Sequence, residues 1–218
     1  MGESPMPKSA SETLFFNLSQ CIHATAQPLS ILRASLGNSR VGQMNLEELR
    51  ELATSSAAEV ERLCALFGCL QQLVGTESTK PQISEVPIHP LLAHVADGVN
   101  LLFKEDKIIL RSIVSEDCQP VLIDKARTLQ ALSTVLLIAH AVSRPQDTVE
   151  LIASSSSNAV RVVVRNLTSC VDAVNAETSL SMAFAEANIR SQQADFSWSL
   201  KPFSVQIELQ GVALAHYC

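Results

Sequence analysis

Apolar residues in the first third of the chain recur at alternating steps of three and four. In the first series these positions are Phe15, Leu18, Ile22, Thr25, Leu29, Leu32 and Leu36. In the second they are Leu49, Ala53, Ser56, Val60, Leu63, Phe67, Leu70 and Val74. Each series has the spacing of a packed helix seam, with Ser11 and Asn45 as N-caps and Gly37 and Gly75 as stops. Joined by a short loop, the two helices predict an antiparallel hairpin over residues 11–78.

Each predicted helix also carries apolar residues outside its seam. They are Leu14, Ile31 and Ala34 on the first helix and Leu52, Leu66 and Cys69 on the second. One hairpin cannot bury both sides of two long helices, whereas a second copy completes a four-helix bundle. We therefore expect a homodimer. A monomer in which the second domain covers the hairpin is the alternative.

The pattern changes after a polar linker, residues 75–81, to short strands alternating with helices. Helices are predicted over residues 90–103, 124–142 and 173–191. A short strand precedes the first of them, and further strands are predicted over residues 108–114, 148–153, 159–166, 195–200 and 203–210. This order predicts that residues 82–218 form an α+β sandwich, with helices on one face of a mixed sheet.

Composition excludes several classes of function. The chain has 218 residues, 47% of them apolar, and a net charge of −6. Its basic residues are scattered without aromatic neighbours, so we expect no nucleic-acid partner. No apolar run approaches the ~18 residues of a membrane span and no signal-type segment is present, so we expect a cytoplasmic protein without a membrane partner. The six cysteines form no C-x-x-C pair, so we expect reduced thiols, mostly core fillers, and no metal site.

One short stretch, "HATAQPL" from His23 to Leu29, combines features that a plain helix does not need. A proline inside a helix costs about 3 kcal/mol, and Pro28 also frees the carbonyl of Ala24. His23 lies off the seam, with Gln27 four residues later on the same face. Small side chains, including "ATSSAA" over residues 53–58, allow a partner close approach. The expected partner-binding residues are Ala24, Ile31, Ala34, Ser55 and Ala58.

This stretch resembles the phosphoacceptor box of bacterial sensor histidine kinases, and the later order of elements resembles their ATP-binding domain. The resemblance implies that His23 accepts and donates phosphoryl groups, while Gln27 orients the imidazole or a water molecule. In those kinases an acidic residue, thought to act as a base in autophosphorylation, follows the histidine. Here Ala24 takes its place.

The features that hold a nucleotide in that family are missing. The helix that should carry a metal-binding asparagine reads "RTLQALSTVLLIAHAV" and contains none, and the segment that should present Asp-x-Gly reads "VVVRNLTSC". No glycine occurs between Gly98 and Gly211, so no backbone there is sterically free to wrap phosphates closely. We therefore expect no ATP-dependent kinase activity and no cofactor, with Mg²⁺ only on the partner.

A phosphoacceptor hairpin followed by a degenerate ATPase-like domain resembles the ChpT-type histidine phosphotransferases. The resemblance implies a phosphorelay in which His23 shuttles phosphoryl groups between aspartates of response-regulator receiver domains. A sensor or hybrid histidine kinase is a further implied partner. One alternative is a non-catalytic degenerate kinase that binds or sequesters a response regulator or a partner kinase. Another is a small-molecule sensor with a pocket lined by Leu136, His140 and Val164.

Overall fold

The computed structural model describes residues 25–26, 28–35, 44–78, 80–156, 158–168 and 176–212. The chain divides into two compact units. The helical unit comprises Met1–Val74 with Asn175–Leu180, and the α/β unit comprises Gly75–Val174 with Ser181–Cys218.

The described part of the helical unit contains helix α1 (residues 25–26 and 28–35) and helix α2 (Leu46–Ser78). The expected cap of α2 is present, because the Glu48 amide donates to Asn45 Oδ1 at 3.0 Å and the Asn45 amide donates to Glu48 Oε2 at 2.8 Å. This reciprocal pair is a capping box. The expected stop at Gly75 is wrong. One glycine costs a helix only about 1 kcal/mol, and the next proline is Pro81.

The buried faces of these two helices differ from the faces that the predicted seams indicated. In α2, Leu63 of the expected seam is buried, but Val60 and Phe67 of the same seam are 48% and 52% exposed. In α1, Leu29 of the seam is 52% exposed while its neighbour Pro28 is buried. The apolar face of α2 is wider than one seam. The three-and-four spacing therefore identified the middle of this face, but it did not identify which of its edges is buried. Antiparallel packing of the two helices stays a prediction.

The α/β unit has the predicted α+β architecture. Its helices are α3 (Ile88–Glu105), α4 (Lys125–Ala141) and the greater part of α5 (Ala176–Arg190), whose residues 176–180 belong to the helical unit. Its strands are β1 (Ser84–Val86), β2 (Ile109–Val114), β3 (Val121–Ile123), β4 (Thr148–Ser156), β5 (Ala159–Asn166), β6 (Asp195–Leu200) and β7 (Phe203–Gln210). Strands β2-β4-β5-β7-β6 form a mixed sheet in that order, with only β2 and β4 parallel. Strands β1 and β3 form a separate antiparallel pair, and β3 was not predicted.

Alternating burial along the strands places the core on one face of the sheet. In β5, Val160, Val162 and Val164 are at most 1% exposed, whereas the residues between them are not buried. The apolar stripe of α3 that ends at Phe103 is buried in the same core. Strand β3 was missed because a three-residue strand is too short for alternation to be recognised.

Candidate functional site

The residues expected to carry the chemistry, His23 and Gln27, lie outside the residues that the structure describes, as does Ala24. Directly after them, Pro28 belongs to α1 and is buried. The Ser30 hydroxyl donates to the carbonyl oxygen of Ala26 at 2.8 Å. The expected place of Pro28 inside a helix is therefore confirmed, and the roles of His23 and Gln27 stay predictions.

The other expected partner-binding residues are described. Ile31 is half-buried, and Ala34, Ser55 and Ala58 are exposed. At about 100° per residue, Ser55 and Ala58 lie on the side of α2 that is roughly opposite Val60 and Phe67. Small exposed side chains on this side leave the helix surface low, so another protein can approach its backbone closely.

A continuous stripe of apolar side chains on α2 is exposed, and the sequence did not separate it from the seam. At about 100° per residue its members fall within an arc of about 80°. This α2 stripe consists of Leu46, Leu49, Ala53, Ala57, Val60, Cys64 and Phe67, all exposed. The exposure of Cys64 also corrects the expectation that it fills a core. The total width of the apolar face, rather than its period, was the signal that could have revealed the stripe.

A cluster of polar side chains joins the ends of α4, β4 and β5, where the sequence lacks Asp-x-Gly. Asn166 is fully buried, and its Nδ2 donates to Ser143 Oγ at 2.7 Å and to Asp147 Oδ2 at 3.2 Å. The Thr168 hydroxyl donates to Asp147 Oδ1 at 2.8 Å, and the Thr168 amide donates to Asn166 Oδ1 at 3.0 Å. The polar atoms of this Asp147 cluster thus bond chiefly to one another.

The electrostatics of the cluster centre on the Asp147 carboxylate. The Arg144 amide donates to Asp147 Oδ2 at 2.9 Å. This hydrogen bond is the main reason that the pKa of Asp147 is lowered, and the hydrogen bonds from Thr168 and Asn166 lower it further. Such donors favour the charged carboxylate.

The residues named for a small-molecule sensor lie in the core of the α/β unit or at its border. Leu136 and Val164 are 0% and 1% exposed and belong to the core. His140 Nε2 lies 2.9 Å from Asp106 Oδ2, and its ring packs edge-on against Phe103 with the ring centroids 5.1 Å apart. These contacts hold the end of α3 beside the end of α4. The small-molecule sensor stays a prediction.

The described part of the chain contains no cluster of His, Cys, Asp and Glu side chains that could hold a metal ion. None of the helices in the same residues is long and apolar enough to cross a membrane.

No protein-family profile and no curated protein matches the chain, but solved structures do. Histidine kinase AdeS of Acinetobacter baumannii matches with a TM-score of 0.67 and 17% identity, over 87% of this chain and 98% of AdeS. Histidine kinase ThkA, solved with response regulator TrrA, matches with a TM-score of 0.71 and 13% identity, over 89% of this chain and 61% of ThkA. Full-length ShkA, solved in complex with AMPPNP, matches with a TM-score of 0.61 and 18% identity, over 89% of this chain and 46% of ShkA.

At these identities the likeness establishes the fold. The chain spans less than two thirds of ThkA and less than half of ShkA. The sequence resemblance to the histidine kinase core is confirmed at the level of the fold, and the ChpT-type assignment stays a prediction. This chain has the fold of a histidine kinase core.

Proposed function

We propose that the protein is a histidine phosphotransferase that carries phosphoryl groups between receiver-domain aspartates on His23 and does not use ATP. The observation that carries the proposal is the Asp147 cluster. The segment that by resemblance should present Asp-x-Gly to a nucleotide ends instead at Asn166 and Thr168, which bond to Asp147. These hydrogen bonds support a histidine-kinase fold that works without a nucleotide, because the polar groups at this edge already have partners within the chain.

The reaction asks little of this chain beyond exposure and orientation of one imidazole. A neutral imidazole nitrogen attacks the phosphorus of an aspartyl phosphate in line, the N–P bond forms, and the O–P bond breaks to release the carboxylate. The receiver supplies Mg²⁺, which neutralises the phosphoryl oxygens. Gln27 orients the imidazole of His23 or positions a water molecule, and in the second role it favours dephosphorylation.

Two observations support a receiver domain as the partner. ThkA, which shares the fold, was solved in complex with a response regulator. In the present chain Ala34, Ser55 and Ala58 are exposed. Small side chains at these positions let a partner helix pack closely against α1 and α2, because no long side chain must first be displaced.

A homodimer is part of the proposal, and the α2 stripe supports it. Leu46, Val60 and Phe67 are 67%, 48% and 52% exposed in the single chain. Exposed apolar surface of this extent along one helix face marks an interaction site. A second copy offers the same stripe and buries both, because a two-fold axis brings identical surfaces together.

The alternative is a non-catalytic module that binds or sequesters a response regulator or a partner kinase. Ala24 favours it, because the kinases that this stretch resembles carry an acidic residue there. Such a module needs the exposed surface but not the imidazole of His23. Phosphorylation of His23 is therefore the property that separates the two functions.

The test is phosphoryl transfer from a panel of purified, radiolabelled receiver domains to the purified full-length protein. We expect at least one receiver to label it and His23→Ala to abolish the label. His89→Ala is the matched control, because His89 is an exposed histidine of α3 in the α/β unit. Equal labelling of the two variants excludes His23 as the acceptor. Absence of label from every receiver favours the binding module.

A second measurement tests the claim that ATP is not used. Since the Asp147 cluster is satisfied internally, Mg²⁺–ATP at about 1 mM is expected to leave the melting temperature unchanged. A clear stabilisation would contradict this part of the proposal and would leave phosphotransfer to be judged by the receiver panel.

A further inference from the structure

A cavity of about 250 Å³ lies where the chain enters the α/β unit. It is lined by the end of β1, the start of α3 and the start of α4. The Gln82 amide, just before β1, donates to Asp124 Oδ2 at 2.8 Å, and Asp124 caps α4. All the lining residues belong to this one unit, so the cavity is a property of the α/β unit alone.

Five of the seven residues that line the cavity are apolar. Val86 and Leu91 are 5% and 2% exposed, Leu129 is half-buried, and Pro87 and Pro90 complete the apolar lining. Burial of a short hydrocarbon or an aromatic ring against such apolar walls is favourable, because it removes apolar surface from water. At about 30 Å³ for each water-sized volume, the space accepts roughly eight non-hydrogen atoms.

The polar part of the lining carries one ammonium group and one imidazole, and none of the seven lining residues has a carboxylate side chain. The two polar side chains that line it, His94 and Lys125, are both exposed. The first turns of α3 and α4 contain no acidic residue. The nearby Asp124 carboxylate already accepts from the amides of Gln82 and Arg127. A ligand that forms an ion pair with the Lys125 ammonium therefore has to carry a negative charge.

We infer that this cavity is a binding site for a small organic carboxylate. The short apolar body of the ligand lies against Leu91 and Leu129, and its carboxylate pairs with the Lys125 ammonium and the His94 imidazole. Because the ligand contacts β1, α3 and α4 at once, its binding stabilises the α/β unit. The inference is independent of the proposed phosphotransfer, since it uses none of the residues assigned to that function.

The test is an NMR titration of the full chain with hexanoate, and with hexanol as a neutral ligand of the same chain length. We expect saturable shifts at the amides of Val86, His94 and Leu129, with hexanol about tenfold weaker. Lys125→Met is expected to weaken hexanoate about threefold to fivefold. Lys104→Met is the matched control, because Lys104 is exposed in the last turn of α3, about 15 Å along the helix from His94.

His94→Leu provides a second variant on the other side of the cavity and is expected to weaken hexanoate without affecting hexanol. Three results would each overturn the inference. They are the absence of saturable shifts up to about 20 mM hexanoate, equal affinity for hexanoate and hexanol, and equal loss of affinity in Lys125→Met and Lys104→Met. Saturable shifts confined to another part of the chain would overturn it as well.

Discussion

The helical unit and the α/β unit differ in how many of their large apolar side chains form a buried core. Phe103 of α3 is fully buried, and α3 and α4 hold their ends together through its contact with His140. Phe67 of α2 is 52% exposed and belongs to a stripe that runs over much of that helix. The α/β unit has a buried core of its own, although side chains such as Leu101 stay exposed on it, whereas α2 leaves a stripe of apolar side chains exposed along one side.

This difference agrees with the proposed function, in which the helical unit binds the receiver domain and the α/β unit binds no nucleotide. In the α/β unit the polar groups at the ends of α4, β4 and β5 pair with one another, as the Asn166–Asp147 hydrogen bond shows. In the helical unit Ser55 and Ala58 stay exposed on one side of α2, and the α2 stripe stays exposed on another. In the unit that resembles an ATPase, these polar groups thus pair with one another. In the unit that resembles a phosphoacceptor hairpin, small and apolar side chains of α2 stay exposed.

The largest expected effect is a loss of stability from the α/β core. Phe103→Ala removes a fully buried ring and is expected to lower the free energy of unfolding by about 3–5 kcal/mol in urea denaturation. Phe67→Ala is the matched control on α2. Its effect on unfolding should be much smaller at low protein concentration and should grow with concentration if the ring is buried only in a dimer. Equal losses at every concentration would break the comparison.

The next effect concerns association through the α2 stripe. Val60→Glu with Phe67→Glu places two charges in the proposed dimer interface and should weaken dimerisation by at least about 100-fold, which is about 2.7 kcal/mol. Analytical ultracentrifugation measures the change. Thr54→Glu, an exposed position outside the stripe, is the control and should remain dimeric. A wild-type protein that is monomeric at tens of micromolar would contradict the proposed homodimer.

A smaller effect is expected from the charge of Asp147. Its pKa is lowered in the folded state, chiefly by the Arg144 amide, so its carboxylate stabilises the fold above the ordinary aspartate pKa of about 3.9. This contribution is lost as the pH falls through the lowered value. Asp147→Asn should therefore reduce stability by about 1 kcal/mol at pH 7, and the difference from wild type should shrink at about pH 3. A difference that does not depend on pH would show that the charge is irrelevant.

Much of the fold was predictable because long elements repeat their pattern several times. The alternation of burial in the strand around Val162 and the helical period around Leu132 each repeat at least twice. Both elements appear where they were expected. The strand at Val121 offers three residues and no repeat, so it was missed. The division of α2 between Leu63 and Phe67 depends on what packs against the helix, which its own sequence does not record.

The candidate site was predictable to a different degree. The absence of an asparagine from α4 and of an Asp-x-Gly motif around Asn166 could be read directly from the sequence. The hydrogen bonds of the Asp147 cluster could not, because its residues come from two segments, residues 143–147 and 166–168, that only the fold brings together. The roles of His23 and Gln27 still rest on the sequence.

The most direct test of the central claim is to map the phosphorylated residue after transfer from a receiver domain. Mass spectrometry of peptides prepared at neutral to basic pH should place the phosphoryl group on His23. Brief acid treatment should remove it, because an N–P bond of this kind is labile in acid. A phosphoryl group on any other residue, or one that survives acid, would contradict the account.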